Sequence, residues 1–180
     1  MARRLIFLLG GARSGKSRYA ENWARSHAER VLFVATAEGH DADMRGRIAE
    51  HQKGRPKHWH TLEAPHDTAE QIAACGYEHD ALLLDCLTLL TSNILLRLPE
   101  SVTQTEANAA VLREVECLLD VYAGSDASWL VVSNEVGMGV VPPTRLGLLY
   151  RDMLGRANQR MAEAADELLL LVAGVPWRLK

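Results

Sequence analysis

The stretch Gly10-Gly11-Ala12-Arg13-Ser14-Gly15-Lys16-Ser17 fits the spacing G-x-x-x-x-G-K-[ST], whose residue types suit one task, the grip on a nucleoside triphosphate. The glycines let backbone N–H groups turn inward around phosphate oxygens. Lys16 brings a positive charge to the β and γ phosphates, and Ser17 offers a hydroxyl to Mg²⁺. Asp85 ends the apolar run Ala81-Leu82-Leu83-Leu84, where nucleoside triphosphatases place a second determinant for the metal. An aspartate at a strand end can also cap the next helix; beside a phosphate loop the metal role is the preferred reading. Six of the seven histidines, His40, His51, His58, His60, His66 and His79, fall between positions 40 and 79. His58 and His60 flank Trp59 as H-x-H, yet no cysteine or third histidine stands at convincing zinc-ligand spacing. Neutral imidazole can instead attack phosphorus and carry the group as a phosphoramidate to a second acceptor. Composition does not select which histidine would do so, and a solvated surface residue is the alternative for each.

The elements that must position these residues follow from the apolar pattern. Leu5-Ile6-Phe7-Leu8-Leu9 is a buried strand leading into the phosphate loop, and the helix from Lys16 to about Glu29 follows with Ala20, Trp23, Ala24 and His27 on one face. Val31 to Thr36 is a second buried strand, reached by a parallel crossover. Residues 38–51 form a short, mostly exposed helix, and Trp59 and Thr61 mark a short strand or loop before a helix from Thr68 to Cys75. Ala81–Asp85 is the third strand, with a helix or loop from Cys86 to Leu98 behind it, then a helix from Glu106 to Tyr122. A fourth strand, Trp129–Ser133, opens into the glycine-rich loop Asn134–Gly139. From Pro143 to Asp166 a helix buries Leu146, Leu149, Met153, Ala157, Met161 and Ala164. Glu167 to Ala173 is a fifth strand, and Gly174-Val175-Pro176 turns the chain into a last edge strand over Trp177–Lys180. The alternation specifies an α/β fold, a mostly parallel sheet with helices on both faces, whose ligand sits at the C-terminal ends of the strands.

The chain has 180 residues, 48% of them apolar and 24% charged, enough for one domain with a full core and too few for two. A formal net charge of −3 gives no general attraction to nucleic acid or to anionic lipid. No apolar run is long enough to span a membrane, and the start Met1-Ala2-Arg3-Arg4 is not a signal peptide. Three scattered cysteines, Cys75, Cys86 and Cys117, fit a reducing compartment, so a cytoplasmic location is expected.

Several blocks, in order, carry a resemblance: Gly10 to Ser17; Arg47-Ile48-x-x-His51 with Gly54-Arg55-Pro56 and Trp59-x-Thr61-x-Glu63; Asp85-Cys86-Leu87-Thr88 with Ser92-Asn93; Asn134 to Pro142; and Arg156-x-Asn158-Gln159-Arg160. Together they are similar to the bifunctional adenosylcobinamide kinase/adenosylcobinamide-phosphate guanylyltransferase family of cobalamin biosynthesis. The resemblance implies a RecA-like P-loop NTPase fold, a homotrimer, and two steps on a corrinoid. ATP or GTP first phosphorylates the hydroxyl of adenosylcobinamide. A histidine then takes GMP from GTP, releases pyrophosphate and passes GMP to the adenosylcobinamide phosphate. The family's nucleophile maps onto His51; some relatives carry a second histidine just before it, where this chain has Glu50. Nucleotide contacts map onto Gly10, Gly11, Ala12, Arg13, Ser14, Gly15, Lys16 and Ser17, onto Thr36, Ala37 and Glu38, onto Gln52, Lys53, Gly54 and Arg55, and onto Glu63 and Asp85. Mg²⁺ would be held by Ser17 and Asp85.

Lys53 and Arg55 would keep His51 in a positive field that favours neutral imidazole. Glu135 has two open readings, acceptor of the corrinoid proton or tie for its own loop. Two other functions compete with the bifunctional enzyme: a small-molecule kinase without guanylyl transfer, and a nucleotide-gated switch. The first is opposed by His51 with Gly54-Arg55-Pro56, the second by the lack of an N-K-x-D signature and of D-x-x-G after a strand.

Overall fold

The computed structural model describes residues 3–38, 46 and 56–180, in which a seven-stranded sheet runs in the order β3-β2-β4-β5-β1-β6-β7. The strands are β1 Leu5–Gly10, β2 Val31–Ala35, β3 His60–Glu63, β4 Ala81–Asp85, β5 Ser128–Val132, β6 Glu167–Val172 and β7 Val175–Arg178. All neighbours pair in parallel except β6 and β7, which form an antiparallel hairpin at one edge. The described helices are α1 Lys16–His27, α2 Thr68–Ala74, α3 Leu87–Arg97, α4 Gln104–Ala123 and α5 Arg145–Ala164. The helix expected over 38–51 falls almost wholly outside the described residues.

Alternate side chains of the strands face opposite ways, and both sets are apolar because helices cover both faces. Leu5, Phe7, Leu32, Val34, Leu82, Leu84, Trp129 and Val131 join one core with residues of α2 to α5. Ile6, Leu8, Val31, Phe33, Leu83, Leu130 and Val132 join the other with Ala20 and Ala24 of α1. Each fully buried Leu, Val or Phe contributes about 1.5–3 kcal/mol, so the central strands anchor the loops at their tips. α4 starts with a capping box in which Thr103 accepts from Glu106 N–H while the Glu106 carboxylate accepts from Thr103 N–H.

The crossover from β1 to β2 is parallel, with β5 and β4 lying between the two strands. Several expectations need correction. His27 is exposed, stacked on Trp23 at 4.3 Å rather than packed beneath α1. Leu146 is 47% exposed, because it sits in the first turn of α5 before that helix meets the sheet. The final turn is Ala173-Gly174, both at positive φ (51° and 84°), with Val175 and Pro176 already in β7. A two-residue hairpin whose central residues both take positive φ matches the right-handed strand twist, which the longer expected turn would not. Pro176 is accommodated because β7 is an edge strand.

Candidate functional site

The phosphate loop joins the C-terminal tip of β1 to the first turn of α1, and two loops hold it in place. Gly174 N–H donates to the Ser14 carbonyl at 2.8 Å from the β6–β7 turn, and Glu135 N–H donates to the Gly10 carbonyl at 3.2 Å from the loop after β5. Gly10 is obligatory at its position: a Cβ there would stand 2.4 Å from the Leu171 carbonyl oxygen and 2.7 Å from Ser14 Oγ. Gly15, at φ 96°, precedes α1 in a left-handed conformation that other residues adopt at a cost.

Lys16 is only 7% exposed and its Nζ turns back on the loop, donating to the Gly10 carbonyl at 3.0 Å and the Gly11 carbonyl at 2.7 Å. Burial lowers its pKa from the ordinary lysine value, opposed by the negative charge of Asp85. An ammonium stripped of water and held by carbonyls is a cation prepared for anionic phosphate. Cys86 is pushed up to about 12, first by burial and then by the charge of Asp85, so its thiol stays protonated.

The tip of β2 is pinned by hydrogen bonds from three other elements. Thr36 N–H donates to the Asp85 carbonyl at 3.2 Å. Thr36 Oγ1 donates to the Cys86 carbonyl and accepts from Cys86 N–H, both at 2.7 Å. The Asn93 side-chain amide of α3 donates to the Thr36 carbonyl at 2.8 Å and to the Pro65 carbonyl at 3.0 Å, joining the ends of β2 and β3. Ala37 and Glu38 are half-buried just beyond, and Glu38 Oε1 meets His66 Nε2 at 2.6 Å. Glu63, the last residue of β3, lies opposite Ala35 in register. The tip of β5 is fixed in the same way: Ser133 Oγ donates to Asn158 Oδ1 at 2.7 Å, Asn158 Nδ2 donates to the Asn134 carbonyl at 3.0 Å, and Asn134 N–H donates to Thr88 Oγ1 at 2.7 Å.

The sheet therefore brings Gly10 to Ser17, Thr36, Ala37, Glu38, Glu63 and Asp85 to one edge. His51, Gln52, Lys53, Gly54 and Arg55 lie outside the described residues. Glu135 Oε1 accepts from Gly137 N–H at 2.6 Å, the loop-tying arrangement of its two readings. His60 stacks on Tyr77 at 4.7 Å, and His58 is exposed. His66 stands behind the site as Glu38's partner, one of the two places the sequence leaves open to it. Sequence reasoning missed the roles of Asn93, Thr88 and Asn158. The signal was there: each is polar at a buried helical position among apolar neighbours, which demands a hydrogen-bond partner.

Beyond Asn134, the loop exposes Met138, Val140 and Val141 at 85%, 95% and 62%. Ser92, Leu95, Leu96, Thr144, Leu146, Gly147 and Tyr150 line a cavity of about 290 Å³ between α3 and the first turns of α5.

Comparison with known proteins gives concordant results. Residues 6–179 match the model of a family described as cobinamide kinase / cobinamide phosphate guanyltransferase. The chain is 40% identical to the bifunctional adenosylcobalamin biosynthesis protein CobU of Salmonella typhimurium, over 98% of this chain and 99% of that protein. It is 37% identical to the protein of the same name in Escherichia coli K12, with the same coverage. Over 96% of this chain and 95% of the relative, it is 40% identical to the bifunctional adenosylcobalamin biosynthesis protein CobP of Pseudomonas aeruginosa.

Proposed function

The chain belongs to the cobinamide kinase / cobinamide phosphate guanyltransferase family, and from that premise we propose that it phosphorylates adenosylcobinamide with ATP or GTP and then transfers GMP through a covalent histidine intermediate. It is a bifunctional enzyme of cobalamin biosynthesis. The observation that carries the finer reading is the phosphate loop, with Lys16 buried and bound to its carbonyls, at an edge shared with Thr36, Glu63 and Asp85.

In the kinase step the corrinoid hydroxyl oxygen forms a bond to the γ-phosphorus, the bond from that phosphorus to its bridging oxygen breaks, ADP or GDP leaves with the electron pair, and the hydroxyl proton passes to solvent. Lys16 stabilises charge on the transferring group, and the loop N–H groups hold the phosphates in line. In the second step a lone pair of the His51 imidazole forms an N–P bond to the α-phosphorus of GTP. The bond from that phosphorus to its bridging oxygen breaks, the electron pair leaves on pyrophosphate, and the other ring nitrogen releases its proton to solvent. A phosphate oxygen of the adenosylcobinamide phosphate then displaces the imidazole, giving adenosylcobinamide-GDP.

A hydroxyl and a carboxylate are hard oxygen donors that suit Mg²⁺. Ser17 stands in the first turn of α1 and Asp85 at the tip of β4. When bound, Mg²⁺ neutralises the charge of the β and γ phosphates. The exposed Met138, Val140 and Val141 and the α3–α5 cavity offer apolar surface to a corrinoid ring. The homotrimer implied by the resemblance, the single domain over residues 1–180 expected from chain length and the cytoplasmic location expected from the cysteines belong to the same proposal; among the described residues no helix is long and apolar enough to cross a membrane.

The test is intact-protein mass after incubation with GTP and Mg²⁺, comparing the native chain with His51→Ala. The native chain gains one GMP and the variant gains none. A native chain that phosphorylates adenosylcobinamide yet never gains mass is a kinase alone, and the guanylyl-transfer reading is then wrong.

A further inference from the structure

The direction in which a triphosphate lies across the loop follows from the strand order. Lys16 would serve the β and γ phosphates, and Ser17 with Asp85 would hold Mg²⁺ at that end of the triphosphate; Asp85 belongs to β4, on the β5 side of β1. The γ end therefore points toward β5 and β4. The α-phosphate and nucleoside extend the other way, toward β6 and the Ala173-Gly174 turn.

That side is built around an arginine that the reading above leaves idle. Arg18 follows Ser17 directly in the first turn of α1, so its backbone N–H is among those left open to an anion at a helix N-terminus. Its side chain is exposed and reaches across to the β6–β7 turn. A Cβ built on Gly174 would come 3.4 Å from Arg18 Nη2, and one on Gly15 would come 4.0 Å from the same atom. The two glycines also meet each other, a Gly15 Cβ standing 3.1 Å from Gly174 Cα. The Arg18 guanidinium makes no hydrogen bond or ion pair among the described residues, whereas those of Arg4, Arg30, Arg97, Arg151 and Arg160 are all matched to carboxylates. An unmatched guanidinium against a close pair of glycines beside a phosphate loop has the planar donor fork that recognises phosphate oxygens.

We propose that Arg18 is a catalytic residue for nucleotidyl transfer, its guanidinium taking the α-phosphate of bound GTP and stabilising the charge that builds there as the α-phosphorus is attacked. The assignment rests on the guanylyl-transfer reading. It separates the two reactions of one site: transfer of the γ-phosphoryl group happens two bridging oxygens away, so for that step Arg18 only helps to bind the nucleotide, while for GMP transfer it faces the reacting centre.

The experiment measures two rates on the native chain, Arg18→Gln and Arg18→Lys: formation of the GMP adduct from GTP and Mg²⁺ at saturation, followed by intact mass, and phosphorylation of adenosylcobinamide by ATP. With Arg18→Gln the adduct rate falls roughly 10²-fold, the size expected for loss of one charge-stabilising donor. The kinase kcat falls by far less and its KM for ATP rises. Arg18→Lys recovers part of the adduct rate, because it restores the charge without the fork. An unchanged adduct rate overturns the assignment, and so does a fall of the same size in both kcat values, since Arg18 would then act on ground-state binding or on the loop. A native chain that forms no adduct overturns both this assignment and the guanylyl-transfer reading.

Discussion

Replacing Asn93 with alanine is expected to cost about 1.5–4 kcal/mol of folding stability and to loosen the nucleotide site at the same time. Asn93 is 5% exposed, and its amide nitrogen donates to two carbonyls from different strand ends. The Thr36 carbonyl is buried, so losing its donor costs about 1–3 kcal/mol of uncompensated desolvation. The Pro65 carbonyl is partly buried and can recover water, so its share is about 0.5–1 kcal/mol. For a chain of this size the sum lowers Tm by roughly 10 °C, or moves the urea midpoint by about 1–2 M at an m-value near 2 kcal/mol/M. Tryptophan fluorescence follows the transition, with buried Trp59 and Trp129 as reporters. Asn93→Asp is the sharper variant, because it sets carboxylate oxygens against two carbonyl oxygens and is expected to be worse than alanine. The KM for ATP rises in both variants, since Thr36 also fixes Asp85 and Cys86 through its own hydrogen bonds. A loss under about 0.5 kcal/mol for alanine, below the range for a buried hydrogen bond, or an aspartate variant as stable as the native chain, refutes the assignment of the amide nitrogen to these carbonyls.

Gly10→Ala places a methyl group 2.4 Å from the Leu171 carbonyl and 2.7 Å from Ser14 Oγ, a backbone clash that must displace the loop; GTP affinity measured by calorimetry should fall at least roughly 10-fold, about 1.4 kcal/mol, and native affinity would show that the loop has room to spare. Glu114 of α4 accepts from Ala69 N–H at 2.9 Å, and burial first, with the charges of Asp67 and Glu70 also contributing, raises its pKa above the ordinary 4.5. A raised carboxyl pKa means the folded state binds more protons than the unfolded one just above pH 4.5, so this group's contribution falls as pH rises through its folded value. Glu114→Gln should accordingly match the native chain in thermal unfolding near pH 4 and exceed it at pH 7; a variant less stable at pH 7 than at pH 4, relative to native, reverses the sign and contradicts the assignment.

The sequence by itself determined the phosphate loop, because its spacing is local and each residue type has one physical role there. It also determined the strands that carry the site, since Leu5–Leu9, Val31–Ala35, Ala81–Asp85 and Trp129–Val132 are apolar runs long enough for buried strands and too short for helices. Alternation of strand and helix then placed Thr36, Asp85 and the loop after β5 at one edge without any knowledge of which strand neighbours which. Tertiary structure decided the rest. Only the order β4-β5-β1-β6 sets Asp85 on one side of Lys16 and the Ala173-Gly174 turn on the other, and so gives the bound triphosphate a direction. Only packing of α3 across the sheet turns Asn93 from a polar residue in an apolar helix into the link between β2 and β3. The physical reason is the same in each case. Periodicity and loop motifs act between residues a few positions apart, whereas a buried polar group is satisfied by whatever the folded chain brings to it, here over 57 positions from Asn93 to Thr36 and through an unbroken core between them.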